Sequence, residues 1–218
     1  MRIFIRMLRY LSTTFYKLIE FSLLFLVIPI VFTLSIPLNI KITIAIIGFV
    51  YVIWILLKVE KIKVHVAKEI KWTPFWRRTF IRFVGIAMIT SLYLLAMHPE
   101  KLFQVVLEQP MVWLLFVLVY SLFSVYPQEL IFRTFFLTRY KSILPNDNIM
   151  VLVNAACFSL AHLFFKNYLV LIMTFIGGIM FAFTFQRSRA TSLVTLEHAI
   201  YGSWLFTAGY GEMLGFPA

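Results

Sequence analysis

The chain has 218 residues, of which 62% are hydrophobic and only 13% charged, and its formal net charge is +11. Soluble domains average about 45–50% apolar and about 25% charged residues, so this composition excludes an ordinary soluble protein. The apolar runs are long and continuous, whereas a membrane barrel shows segments of roughly ten residues with alternating polarity. We therefore expect an all-α, polytopic transmembrane helical bundle.

Seven apolar runs are predicted as spans, because a helix needs about 20 mostly apolar residues to cross a bilayer. In chain order they cover residues 18–38, 42–57, 83–97, 111–126, 149–165, 168–186 and 190–208. Residues 127–141 are expected to continue as helix, with Pro127 in the first turn of a new helix or at a kink in a longer one. The sequence allows six to eight spans, and six spans with one re-entrant run is an alternative.

The N-terminus carries three arginines, Arg2, Arg6 and Arg9, before the first apolar run. A cleaved signal peptide has a shorter apolar stretch and a small-residue cleavage site, so we expect this run to be a retained span. With the N-terminus in the cytoplasm, 17 of the 20 Lys and Arg residues fall on the inner side. This bias predicts a cytoplasmic N-terminus and an external C-terminus.

The same charge pattern places the basic loops against the inner face of a membrane, so the expected partner is the lipid bilayer rather than nucleic acid. The expected location is a bacterial inner (cytoplasmic) membrane. The main predicted cytoplasmic loop covers residues 58–82. It is either a solvated basic linker or an interfacial amphipathic helix anchored by Trp72 and Trp76. We expect residues 1–218 to form a single integral membrane domain.

Three acidic residues, Glu20, Glu129 and Glu197, lie within or beside the apolar runs. An ionisable residue at membrane depth is costly, so it usually has a partner and a function. Glu20 is placed near the cytoplasmic end of the first span, where we expect it to reach water. Glu129 and Arg133 are four residues apart and share one helix face, so a structural ion pair is one explanation of both.

A structural pair does not explain the histidines His162 and His198, which lie in two later apolar runs. A glutamate near two imidazoles can activate water, and an imidazole can stabilise an oxyanion. Glu129, His162 and His198 could equally bind a divalent metal such as zinc, although no His-Glu-x-x-His motif is present. Hydrogen-bonded core histidines and a proton relay in a transporter are further interpretations that the residues alone leave open.

The motifs, taken together, resemble a known family. Gln128-Glu129-x-x-x-Arg133, Phe158-x-x-x-His162 and His198 follow in the order seen in the CPBP family, the CAAX-protease and bacteriocin-processing (Abi) family of intramembrane metalloproteases. The family pattern is Glu-Glu-x-x-x-Arg, Phe-x-x-x-His and His-x-x-x-Asn on successive helices. The resemblance covers residues 111–208, which are therefore the expected protease core, and makes Gln128, Glu129, Arg133, His162 and His198 its site residues.

The resemblance implies hydrolysis of peptide bonds in membrane-associated peptides or membrane proteins. It implies that the family's first glutamate and first histidine activate water, while the second histidine and the asparagine stabilise the oxyanion. If a metal takes part, Glu129, His162 and His198 are its expected ligands.

Two positions depart from the family pattern. Gln128 replaces the first glutamate, and its amide cannot act as a base near neutral pH. Gly202 replaces the asparagine and has no side-chain donor for an oxyanion. Two hypotheses follow. Either the site is rebuilt, with Glu129 as the base or with Glu197 entering it, or the chain is a catalytically degenerate relative that binds peptides or proteins in an immunity or regulatory role.

Overall fold

The structure is a computed structural model that describes residues 2–62 and 71–214. Every regular element in these residues is helical, which confirms the all-α fold. Among the described residues, six helices are long and apolar enough to cross a membrane, which supports the integral membrane class: Thr14–Phe32, Leu38–Lys58, Trp72–Met97, Pro110–Arg139, Asp147–Phe165 and Tyr168–Ser188. They correspond to the first six predicted runs, and the cytoplasmic position of the N-terminus stays a prediction.

The remaining described helices are shorter. Arg2–Leu11 precedes the first long helix, Gln104–Glu108 follows the third, and Thr191–Leu205 covers most of the seventh predicted run. Thr191–Leu205 continues into a wider turn at Phe206–Tyr210. This last helix has 15 residues, which makes it shorter than each of the six long helices, and it carries Glu197 and His198.

The third long helix differs most from the prediction. It begins at Trp72 rather than at residue 83, because Arg77 and Arg78 are good helix formers even though they lower the hydropathy. Trp72 and Trp76 therefore lie in the first turns of this helix, and both are exposed. Much of the hypothetical interfacial helix, residues 63–70, lies outside the described residues.

The chain divides into two compact units, of which the first comprises Met1–His65 and Leu130–Phe183. Phe25 is at the centre of its aromatic core, with its ring in edge contact with Phe132 and Phe136 at centroid distances of 5.4 and 5.0 Å. Gly178 allows close helix packing, because a Cβ there would lie 2.9 Å from the Cα of Ala155. Small residues thus bring the last two helices of this unit together.

A buried ionic cluster in the first unit corrects the expectation for Glu20. Glu20 is only 4% exposed and accepts hydrogen bonds from Tyr51, Tyr140 and Arg139, with the Arg139 Nε–Oε1 distance at 2.8 Å. Arg139 also binds Glu60 at 2.8 Å. Burial and the negative charge of Glu20 raise the pKa of Tyr140, which keeps its phenol protonated as a donor. The charge of Glu20 is balanced by Arg139, and its side chain does not reach water.

The second unit comprises Val66–Glu129 and Thr184–Ala218. Thr90 joins two of its helices, because its Oγ1 accepts a hydrogen bond from Trp204 at 3.0 Å and its carbonyl accepts one from Tyr210 at 2.9 Å. Trp113 donates to Thr207 at 2.8 Å. These bonds satisfy polar groups of apolar helices and fix the helix that carries His198.

Gly209 is required where the last helix ends, and replacing it with alanine is expected to destabilise the protein. Its φ is +122°, and a Cβ there would lie 2.9 Å from the carbonyl carbon of Lys101 and closer still to the oxygen. We expect Gly209→Ala to lower the free energy of unfolding by about 1–3 kcal/mol, measured by thermal unfolding in detergent. Gly85→Ala is the matched control, since a Cβ there meets nothing within 4 Å. Equal stability of the two variants would contradict the steric argument.

Candidate active site

The candidate site begins in the long helix Pro110–Arg139, whose regular winding is interrupted twice. Tyr120–Val125 and Leu130–Phe135 are π-helical, and the α-helical turn Tyr126–Glu129 lies between them. Pro127 lacks a backbone N–H and its ring clashes with the carbonyl of the preceding turn, which favours the wider winding just before it. The predicted kink in a longer helix is thus a π-helical segment. This π-helical segment changes the direction in which the side chain of Tyr120 points relative to that of Glu129.

Glu129 and His198 form the centre of the candidate site in the second unit. The Nδ1 of His198 lies 2.7 Å from the Oε1 of Glu129. Glu129 is fully buried and His198 is 7% exposed. If the Glu129 carboxylate is ionised, it can only accept a hydrogen bond; Nδ1 of His198 is then the donor, and Nε2 is the ring nitrogen left to accept a proton. A carboxylate that fixes the imidazole tautomer in this way is the arrangement of a general base.

The two motif departures lie beside this pair. The Nε2 of Gln128 donates to the Oγ of Ser124 at 2.8 Å, one turn earlier on the same helix. Its Oε1 is buried and has no hydrogen-bond partner among the described residues. Gly202 is buried one helical turn after His198, and the ring of Tyr120 lies against it. Gln128 therefore supplies no base, and Gly202 supplies no side-chain hydrogen-bond donor, where the family pattern has one of each.

The contacts of Glu197 disfavour a role for this carboxylate as a general base. Its Oε1 accepts hydrogen bonds from Arg82 at 2.7 Å and from the hydroxyl of Tyr201 at 2.9 Å. Arg82 also donates to Thr184 at 3.1 Å. A carboxylate already paired with an arginine is poorly suited to taking a proton from water, so these contacts do not favour Glu197 as the base.

His162 and Arg133 belong to the first unit. The ring of His162 lies 4.8 Å from that of Phe158, and its Nδ1 is 2.7 Å from the Phe158 carbonyl oxygen, as expected for residues on one face. Arg133 is fully buried, donates to Asn154 and lies over the Phe158 ring at 4.8 Å. Their catalytic roles stay predictions from the motifs.

Sequence reasoning missed three side chains of these networks: Arg82, Tyr120 and Asn154. Asn154 is fully buried, and its Nδ2 donates to the Phe132 carbonyl at 2.6 Å. An amide inside an apolar run was a signal that could have found it, because such a group must be hydrogen-bonded. Arg82 was assigned to the basic loop, and Tyr120 had no signal, since aromatic residues are common throughout this chain.

The sequence predicts zinc only as a possible cofactor, with Glu129, His162 and His198 as its expected ligands. Within residues 2–62 and 71–214, no three His, Cys, Asp or Glu side chains are close enough together to hold a metal ion. Glu129 and His198 would supply two ligands, but they already engage each other through Oε1 and Nδ1. These two side chains alone are fewer than the three protein ligands of a catalytic zinc site, so no chemistry is assigned to a metal here, and zinc stays a prediction from the sequence.

The structure defines an integral membrane protein with an acid–imidazole pair buried in its helices. The protein-family model described as Type II CAAX prenyl endopeptidase Rce1-like matches residues 110–204, which contain all three motif segments. This match covers less than half of the chain, and it confirms that residues 110–204 resemble the CAAX-protease (CPBP) family. No curated protein and no solved structure matches the chain.

Proposed function

We propose that this protein is an intramembrane peptidase that hydrolyses membrane-associated peptides. The observation that carries the proposal is the 2.7 Å hydrogen bond between His198 and the fully buried Glu129, inside the segment that matches the family. A buried carboxylate that fixes an imidazole tautomer favours proton transfer over a purely structural contact. The altered family positions Gln128 and Gly202 do not remove this pair.

In the proposed reaction, the Nε2 of His198 takes a proton from water while the water oxygen bonds to the substrate's carbonyl carbon. The carbonyl π electrons move to the carbonyl oxygen, which becomes an oxyanion. When the oxyanion collapses, the C–N bond breaks and the proton on His198 passes to the leaving nitrogen. Glu129 stabilises the imidazolium throughout, as the carboxylate of a hydrolase triad does.

The pair Glu129–His198 replaces a base at position 128 in this proposal. Gln128 cannot accept the proton, and its amide is turned towards Ser124. The base function therefore passes to the imidazole of His198. His162 keeps the role that the family resemblance implies as a prediction, and no step is routed through it.

A prenylated peptide with a C-terminal CAAX sequence is the first substrate to test, because the matching family is described as a CAAX prenyl endopeptidase. The purified full-length chain in lipid vesicles is expected to release the C-terminal tripeptide, detected by mass spectrometry. An unprenylated peptide of the same sequence shows whether the lipid group is recognised.

His198→Ala is expected to lower the release of product by at least about 1,000-fold, because the base is lost. His98→Ala is the matched control: His98 has an accessible side chain, 48% exposed, in another segment of the chain. Full activity of His198→Ala would contradict the proposal. If the unaltered protein binds the peptide without cleaving it, the result would instead support the hypothesis of a non-catalytic peptide-binding protein.

A further inference from the structure

Tyr120 lies in the space that a side chain at position 202 would occupy. A Cβ built on Gly202 would be 2.5 Å from the Cζ and 2.6 Å from the Cε1 of Tyr120, and closer still to the hydroxyl oxygen. No residue larger than glycine fits there unless this ring moves. The absence of a side chain at position 202 and the position of the phenol are therefore one structural feature.

The same phenol lies next to the imidazole of the candidate site. The ring centroids of Tyr120 and His198 are 6.1 Å apart, and the rings meet edge to face at 82°. His198 and Gly202 are four residues apart on the helix Thr191–Leu205, so they share one face. A hydroxyl held over Gly202 is thus on the face that carries the imidazole.

We infer that the hydroxyl of Tyr120 donates the hydrogen bond that stabilises the oxyanion in this site. A phenol is protonated at neutral pH and can donate to a negatively charged oxygen. Charge on the former carbonyl oxygen appears as the water oxygen bonds to carbon, and the donor keeps its own proton. This inference rests on the proposed function, since it assigns a second catalytic residue to the same hydrolysis.

The π-helical winding at Tyr120–Val125 explains how the phenol reaches this position. An i→i+5 turn contains an extra residue relative to an α-helical turn, which rotates the side chains before it relative to those after it. Tyr120 lies at the start of this segment, and Glu129 follows in the regular turn beyond it. One helix can therefore direct both the phenol and the carboxylate towards His198.

Tyr120→Phe tests the hydroxyl while keeping the ring. We expect kcat for the prenylated CAAX peptide to fall about 100- to 1,000-fold, as for the loss of one oxyanion donor, with KM unchanged within about twofold. The melting temperature of the full-length protein should not change. Tyr126→Phe is the matched control, since Tyr126 is on the same helix and exposed.

Moving the hydrogen-bond donor from position 120 to position 202 distinguishes a catalytic role of Tyr120 from a packing role. Gly202→Asn alone is expected to be inactive, because its side chain collides with Tyr120. The double variant Tyr120→Ala/Gly202→Asn removes the collision and supplies an amide donor from position 202. The kcat of the double variant should be at least about tenfold higher than that of Tyr120→Ala. If the Tyr120 ring is needed only for packing, the two kcat values should be equal.

The outcomes distinguish the two proposals. If the unaltered protein cleaves the peptide and Tyr120→Phe does so at the same rate, the role of Tyr120 is wrong and the peptidase function stands. If the unaltered protein and Glu129→Gln are equally without turnover, the peptidase function fails and the role of Tyr120 fails with it. A reduced kcat in Tyr120→Phe together with recovery in the double variant supports both.

Discussion

Replacing Glu129 with glutamine is expected to lower kcat for peptide hydrolysis by about 10⁴-fold. Glutamine has nearly the shape of glutamate, but its NH₂ group can donate to Nδ1 of His198 and thereby stabilise the tautomer whose Nε2 carries the proton. That tautomer cannot take a proton from water, and the negative charge that stabilises the imidazolium is also lost. Turnover of the prenylated peptide by the full-length protein in vesicles measures the effect.

The control for Glu129→Gln is Glu100→Gln, because the Glu100 side chain is 65% exposed. Both variants should purify in the same amount and keep the melting temperature of the unaltered protein within a few degrees. A loss smaller than about tenfold for Glu129→Gln would mean that the buried carboxylate does not set the state of His198. The pair would then be a structural contact.

Replacing Arg139 with methionine is expected to cause the largest loss of stability. Arg139 is fully buried and donates to Glu20, Glu60 and the carbonyl of Leu11. Methionine fills part of the volume but leaves Glu20 buried without its cation. Breaking a buried pair in this way costs about 3–5 kcal/mol. In a chain of this length, this lowers the melting temperature by roughly 6–20 °C, measured by thermal unfolding in detergent.

Arg77→Met is the matched control for Arg139→Met, because it makes the same chemical change at an exposed helical position. Surface substitutions of this kind usually change the stability by less than about 0.5 kcal/mol. The double variant Arg139→Met/Glu20→Gln should be more stable than Arg139→Met, since it removes the uncompensated charge. Equal melting temperatures for Arg139→Met and Arg77→Met would show that the buried cluster contributes nothing.

The sequence predicted the helices well because apolar runs need no knowledge of their partners. It predicted boundaries less well where charge and helix propensity disagree, as at Trp72, where arginines lie in the first turns of a long helix. It also placed Glu20 in water, because its main partner, Arg139, is 119 residues away in the chain. Hydropathy reports the cost of burying a charge, but not the distant group that offsets this cost.

The candidate site was predictable to a similar extent. Glu129 and His198 could be selected because ionisable groups are rare in apolar runs. Their hydrogen bond could not be predicted, since helical spacing relates residues on one helix only. The position of Tyr120 could not be predicted either. It depends on a π-helical turn and on the missing side chain at Gly202, and neither forms a sequence motif.

The contact between Tyr120 and Gly202 has an evolutionary consequence. An asparagine at position 202 and a tyrosine at position 120 exclude each other sterically, so the two sites are epistatic. A change from one arrangement to the other needs two substitutions, and either order passes through an intermediate with a collision or without a donor. Homologues should therefore show covariation between these positions, with tyrosine paired to glycine and a smaller residue paired to asparagine.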